Sequence, residues 1–187
     1  EADTYVIFAM TDKSAGTRGI TAFIIEKGTP GFEFGINEKK MGIRGSATRE
    51  LIFRDCRIPK DQLLGQEGKG FGVAMSTLDD GRIGIAAQAL GIAGGALDKV
   101  VAYVKERKQF GRPISAFQNT QFKLAEMKIE LEAARYLVYL AASKYDKREK
   151  HSVEAAMAKL KASRVASYVT NLAVQLHGGY GYIQDYE

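Results

Sequence analysis

The hydrophobic pattern changes its period once along the chain. Up to about residue 58 the apolar positions come in short β-branched and aromatic runs separated by polar stretches, which predicts β structure. Tyr5–Met10 and Ile20–Ile25 are the first two predicted strands, with Thr11–Gly19 as a hairpin connection. Lys27-Gly28-Thr29-Pro30-Gly31 reads as a second turn and Phe32–Phe34 as a short third strand. Glu50–Ile58 is the fourth, stopped by Pro59. Four short antiparallel strands do not readily close a barrel, so more sheet is expected upstream.

Gly65-Gln66-Glu67-Gly68-Lys69-Gly70 marks the boundary, dividing the chain into 1–64 and 65–187. A long helix follows, from about Gly70 to Phe110, with a stripe of Phe71, Met75, Leu78, Arg82, Ile85, Ala89, Ile92, Ala96, Val100 and Tyr103. Its middle, Ile83–Leu97, has fifteen residues of which only Gln88 is conventionally polar. That is short of the roughly 20 residues a bilayer requires and suits a helix buried on several sides of a bundle. Gly81, Gly84, Gly91, Gly94 and Gly95 suggest close approach by a neighbouring helix or a ligand. Gly111 and Pro113 end the helix. Ser115 then reads as an N-cap, completed as a capping box by Gln118, for a second helix with an apolar face of Phe122, Ala125, Ile129, Ala133, Tyr136 and Leu140. Ser152 caps a third, with the stripe Ala158, Ala162, Val165, Val169, Leu172 and Leu176, and Gly178-Gly179 stops it. The expected fold is therefore α+β: part of an antiparallel β domain, then three long helices of an up-down four-helix bundle whose fourth helix is missing.

Composition narrows the functional classes. Of 187 residues 45% are hydrophobic, enough for a true core. The single Cys56 excludes an internal disulfide framework and fits a reducing cytoplasm. No signal peptide is apparent, and a start at Glu1 almost directly in a strand suggests a fragment without its natural beginning. The net charge of +5 favours anionic partners, but the basic residues alternate with acidic ones on what read as solvated helix faces.

Three clusters carry candidate chemistry. Asp79 and Arg82, with Asp80 and Gly81 between them, share one helix face. The plain reading is an intrahelical ion pair. Arg82 is, however, the only charge on its stripe, and a carboxylate and guanidinium beside a helix glycine can also hold the polar and phosphate parts of a ligand. Arg107, Gln109 and Phe110 stand at a helix exit with Gln118 at the next helix start. They read either as a polar turn or as an anion site, where Arg107 neutralises a diphosphate, the free N–H groups of the helix start at Ser115 assist, and Phe110 lies against a base or ring. Gln175-Leu176-His177-Gly178-Gly179 is a helix end or a cofactor loop. Neither His151 nor His177 has partners at metal-ligand spacing, and no nucleophile arrangement stands out.

In this order the clusters resemble the acyl-CoA dehydrogenase flavoproteins. The likeness runs through Lys40–Thr48, Arg54–Pro59, Leu64-Gly65, Gly68, Gly70-Phe71, Arg107–Gly111, Phe117-Gln118 and Gln175–Gly181, and Leu78–Gly91 is most similar to the short-chain, butyryl-CoA branch in its anaerobic bacterial versions. The resemblance implies FAD-dependent α,β-desaturation of an acyl-CoA thioester. It implies that Asp79, Asp80, Gly81 and Arg82 contact acyl-CoA. Arg107 and Gln118, with Gln109 and Phe110 beside them, would reach the FAD of a neighbouring subunit, and Gln175, Leu176, His177, Gly178 and Gly179 would form a further FAD-contacting loop. A homo-oligomer, usually a tetramer, and electron-transfer flavoprotein as a redox partner are implied. No membrane partner is expected from the short apolar run, and the lack of a contiguous basic stripe with interleaved aromatics speaks against nucleic acid.

The family's catalytic Glu falls beyond Glu187, and Gly81 stands where some branches carry it, so no catalytic residue is expected here. The isolated chain is accordingly expected to be inactive and to bind FAD poorly. Two alternatives keep the fold: an acyl-CoA oxidase-like flavoenzyme, and a non-catalytic basic interaction module.

Overall fold

Ile20–Glu26 (β2) buries Ala22 and Ile25 completely, and Thr4–Met10 (β1) pairs with it antiparallel from Thr4↔Glu26 to Met10↔Ile20. The computed structural model describes residues 2–186, leaving Glu1 and Glu187 outside the described residues. It divides into two compact units, one up to Ser76 and one from Thr77.

In the first unit, Phe32–Asn37 (β3) pairs with Arg49–Phe53 (β4) as a separate two-stranded sheet, and Leu63–Leu64 (β5) adds to β2, giving the order β1-β2-β5. Tyr5, Phe32, Phe34 and Phe53 join the two sheets, with ring centroids 5.2 Å apart for Tyr5–Phe32 and 5.0 Å for Phe32–Phe53. Such aromatic pairs add about 0.5–1.5 kcal/mol each beyond the area they bury. The fourth strand is shorter than its apolar run: it stops at Phe53 because Asp55 takes a left-handed φ of 48°, well before Pro59. Thr21 anchors the helical start. Its Oγ1 accepts the Gly68 N–H at 2.9 Å and lies 2.7 Å from Thr11 Oγ1. Gly68 has φ 74°, and a Cβ there would stand 2.6 Å from the Arg18 carbonyl oxygen, so only glycine fits.

Three long helices follow: Gly70–Glu106 (α1), Gln118–Asp146 (α2) and Ser152–His177 (α3). Their shared core consists of Ala86, Ala93, Leu97, Val100 and Val104 from α1, Met127, Leu131, Ala134, Val138 and Ala141 from α2, and Ala158, Ala162, Val165, Val169 and Ala173 from α3. Alanine at so many facing positions lets α2 and α3 form the closest helix pair.

The α3 stripe agrees with the periodicity; that of α1 agrees only in its second half, where Val100 is buried and Ala89, Ala96 and Tyr103 pack against the core, and that of α2 does not. On α2 the predicted face is solvent-exposed at Phe122, Ile129, Tyr136 and Leu140. On α1 the predicted stripe is exposed at Phe71, Met75, Leu78, Ile85 and Ile92. Both helices are apolar on more than one side, so the period specifies a helix without specifying which side turns inward. By length and composition alone α1 would pass for a membrane-crossing helix, with a mean hydropathy of 1.3 over its most apolar 18 residues. The inner stripe of α1 instead packs in the bundle core. Among the described residues nothing lies within 4 Å of where a Cβ would stand on Gly81, Gly84, Gly91, Gly94 or Gly95, so no close neighbour explains these glycines.

Helix ends also differ from expectation. Helix α1 ends at Glu106, and the residues read as its last turn fold instead as a small hairpin of Lys108–Gln109 (β6) and Arg112–Pro113 (β7). Ser115 lies in a 3-10 turn, and α2 starts at Gln118 after Phe117 with no side-chain cap. The capping box does not form: the Ser115 carbonyl instead accepts Gln121 Nε2 at 3.0 Å. Ser152 is the first residue of α3, preceded by His151, and its hydroxyl donates to Asp79 rather than capping its own helix. Gly178, at φ 62°, does terminate α3.

These faces yield a direct contrast. Ala134→Leu places three extra carbons at a fully buried position and is expected to destabilise the chain by about 1–3 kcal/mol in urea unfolding, whereas Ala133→Leu next to it stays within about 0.5 kcal/mol. Equal losses at both positions would contradict the assigned face.

Candidate functional site

At the C-terminal ends of α1 and α3 a cleft of about 590 Å³ is lined by Tyr103, Arg107, Gln109, Ile114, Gln175–Tyr180 and Ile183. It gathers two clusters that lie about 70 residues apart in sequence. Tyr103 makes the junction: its hydroxyl donates to the His177 carbonyl at 3.1 Å, and its ring stacks on the His177 imidazole with centroids 4.2 Å apart. Burial pushes the Tyr103 phenol above its ordinary pKa, opposed by the positive charge of Arg107. Arg107 holds its guanidinium 5.0 Å from the centre of the Tyr180 ring, a cation–π contact. His177 Nδ1 lies 2.7 Å from the Ala173 carbonyl, which assigns the proton to that nitrogen and leaves Nε2 unprotonated in the neutral ring. A fixed cation, aromatic faces and the exposed backbone of Gly178 and Gly179 form a donor set suited to a diphosphate bearing a flat ring system.

The β6–β7 hairpin turns through Phe110 and Gly111, both with positive φ (53° and 78°), as a two-residue turn of this kind requires. Phe110 therefore pays a backbone cost of about 1–2 kcal/mol that glycine would avoid. It stands at the tip, 92% exposed, T-shaped to the Phe117 ring with centroids 6.3 Å apart. Neither Phe110 nor Gln118 lines the cleft; both face outward.

The third predicted cluster forms a separate group. Arg82 Nη1 pairs with Asp79 Oδ1, so the plain ion-pair reading is correct as geometry. The same carboxylate accepts the Ser152 hydroxyl on its other oxygen. Asp80 Oδ1 lies 3.0 Å from His151 Nε2, and Lys144 pairs with Glu154 alongside. The Lys144 ammonium holds the Glu154 carboxyl below its usual range through their hydrogen bond.

Tyr103 lies on the apolar stripe, and Arg107 follows it four residues on, just past the helix end, its N–H donating to the Tyr103 carbonyl at 2.9 Å; that spacing is the sequence signal for the pair. Tyr180 lay inside the glycine-rich stretch. His151 and Ser152 join Asp80 and Asp79 across more than 70 residues, and no local pattern announces that.

Residues 68–187 match the acyl-CoA dehydrogenase C-terminal domain and residues 1–56 the acyl-CoA dehydrogenase middle domain. The chain belongs to the acyl-CoA dehydrogenase family, whose members depend on FAD. It is 58% identical over 185 residues to the short-chain specific acyl-CoA dehydrogenase of Megasphaera elsdenii, covering 99% of this chain and 48% of that protein. The solved structure of butyryl-CoA dehydrogenase from Megasphaera elsdenii superposes with a TM-score of 0.96 at 58% identity, over 100% of this chain and 49% of that one. A chain in the structure of the electron transferring flavoprotein of Acidaminococcus fermentans is 63% identical, with a TM-score of 0.96 and coverage of 100% and 49%. The chain spans about half the length of the curated relatives it matches.

The Tyr103 junction predicts a local effect. Tyr103→Phe keeps the ring stack but removes the bond to the His177 carbonyl, so amide hydrogen exchange at Gly178–Gly181 is expected to accelerate by about 1 kcal/mol in opening free energy while the α2 core is unchanged. Unchanged exchange at Gly178–Gly181 would show that the hydroxyl does not hold the turn.

Proposed function

We propose that this chain is part of an FAD-dependent acyl-CoA dehydrogenase acting on short-chain acyl-CoA thioesters, with 1–64 belonging to its middle β domain and 65–187 to its helical domain. The observation that carries the proposal is the convergence of Arg107, Gln109 and Gln175–Gly179 in one cleft with the chemistry of a dinucleotide site.

The net reaction takes a proton from the α-carbon and a hydride from the β-carbon of the thioester. FAD, when bound, supplies the hydride acceptor. Arg107, already oriented by the Tyr180 ring, offers charge-assisted hydrogen bonds to diphosphate oxygens. Gly178 and Gly179 permit close backbone approach because nothing stands where a side chain would go. Arg82 spends one nitrogen on Asp79 and keeps 41% of its side chain exposed, leaving donors for the phosphate or amide groups of a CoA ester.

The separation of the two clusters supports an oligomer. Asp79 meets Ser152 at one end, and Tyr103 meets His177 at the other, so α1 and α3 run parallel. Asp79 and Tyr103 are 24 positions apart, so the clusters stand about 36 Å apart at 1.5 Å per residue. Ligand groups that far apart fit two different active sites better than one. In the same reading, outward-facing Phe110 and Gln118 reach the FAD of a neighbouring subunit, in a tetramer of the complete protein. Electron-transfer flavoprotein is the proposed electron acceptor, and the bacterial cytoplasm the proposed setting.

The test uses the protein expressed from its full gene. A yellow product whose flavin is bleached by butyryl-CoA is expected, and Arg107→Ala should lower its FAD affinity about tenfold or more, the loss of one charge-assisted diphosphate contact. A colourless wild-type product, or flavin that no short-chain acyl-CoA reduces, would overturn the proposal.

A further inference from the structure

The end of the bundle opposite the cleft holds a bracket around the proposed acyl-CoA segment. Asp79 has no spare oxygen: Oδ1 takes Arg82 and Oδ2 takes the Ser152 hydroxyl, and its side chain is only 19% exposed. It is therefore anchored to its own helix and to the start of another before any ligand binds. Asp80, one residue on, is held by His151. That imidazole is 18% exposed, lies edge-on to Tyr145 with centroids 5.5 Å apart, and has both nitrogens engaged. Nδ1 lies 3.0 Å from the Glu149 carbonyl, and Nε2 lies 3.0 Å from Asp80 Oδ1. A carbonyl and an ionised carboxylate can only accept, so this geometry is satisfied by the doubly protonated ring alone.

We propose that His151 and Ser152 are positioning residues of the acyl-CoA site, which clamp Asp80 and Asp79 across the bundle so that Arg82 is presented to the ligand in one orientation. The inference rests on the reading of Asp79–Arg82 as acyl-CoA contacts and extends it to two residues of another helix start. A carboxylate held by a single partner swings about its terminal torsion, and an arginine paired to it swings too; a second anchor removes that freedom before the ligand arrives.

Because one anchor is an imidazolium, the clamp depends on pH. His151 faces Asp79 and Asp80 from α1, Tyr145 and the Lys144–Glu154 pair from α2 and α3, and the Glu149 carbonyl of the connecting loop. The carbonyl of Glu149, then the hydrogen bond to Asp80, raise its pKa above the ordinary histidine value, against desolvation. A folded-state pKa raised in this way means that the contact is fully present below about pH 6.5, the ordinary value, and is lost as pH rises through the raised one.

The experiment measures binding of the redox-inert thioether S-butyl-CoA to the flavin-loaded enzyme from the full gene, at pH 6 and pH 9, for the wild type, His151→Gln, Ser152→Ala and Arg82→Ala. At pH 6 His151→Gln and Ser152→Ala are each expected to weaken binding about fivefold, within the range for an indirect positioning contact. At pH 9 the His151→Gln ratio to wild type should fall to about one, while that of Ser152→Ala persists; ionisation of the ligand's own phosphate cancels in both ratios. NMR titration of the wild-type His151 ring adds a readout free of mutation, and S-butyl-CoA should raise its midpoint by linkage. A His151→Gln ratio that stays constant with pH, or a His151 midpoint that the ligand does not move, overturns the inference while a loss in Arg82→Ala leaves the acyl-CoA reading standing. Unchanged binding in Arg82→Ala overturns both.

Discussion

The cleft depends on one contact, the junction of Tyr103 with His177. It joins the last turn of α1 to the last turn of α3, through a hydroxyl-to-carbonyl bond of 3.1 Å and a ring stack at 4.2 Å. With the Arg107 contact on the Tyr180 ring, it turns Arg107 and the Gly178–Gly179 turn toward one another. The junction is possible because the bundle holds α1 and α3 parallel, and the alanine-lined seam between α2 and α3 fixes α3 in turn. The chemistry at the cleft is therefore a consequence of small side chains far from it.

Much of this was legible in the sequence. The change of period at Gly65–Gly70 located the passage from strand to helix, since a side chain at Gly68 would collide with the Arg18 carbonyl just before β2 and one at Gly70 with β2 itself. The α3 stripe and its Gly178 stop were legible because the stripe of Ala158, Ala162, Val165 and Val169 is the buried face and the helix ends in a left-handed residue. The face of α2 and that of the first half of α1 were not: on α2, Ile129 and Tyr136 outside compete with Leu131 and Val138 inside, and periodicity weighs them alike. The hairpin at 108–113 escaped because Phe110 occupies a turn position that normally signals itself with glycine or asparagine. Around the candidate cleft, the residues of local motifs, Arg107, Gln109 and Gln175–Gly179, could be singled out from the sequence, whereas the contacts that Tyr103, His151 and Ser152 make between helices have no local signal.

Two features left over from packing bear on assembly. Phe122, Ile129, Tyr136, Tyr139 and Leu140 make an exposed apolar face on α2, and Phe71, Met75, Leu78, Ile85 and Ile92 a second on α1. Faces of this size are rarely left to water. Together with the strained, exposed Phe110, they fit a chain whose proposed FAD site is completed by a neighbour.

The central claim, that a working site draws Arg82 from one subunit and Arg107 from another, is tested most directly by mixing Arg82→Ala and Arg107→Ala full-length enzymes, at FAD and substrate concentrations low enough that each alone is inactive, and measuring butyryl-CoA oxidation after subunit exchange. The account predicts that activity returns, because a mixed pair contains one site with both arginines intact. If the mixture stays as inactive as its parts while subunit exchange is demonstrated by mass, both arginines serve the same subunit's site and the account is wrong.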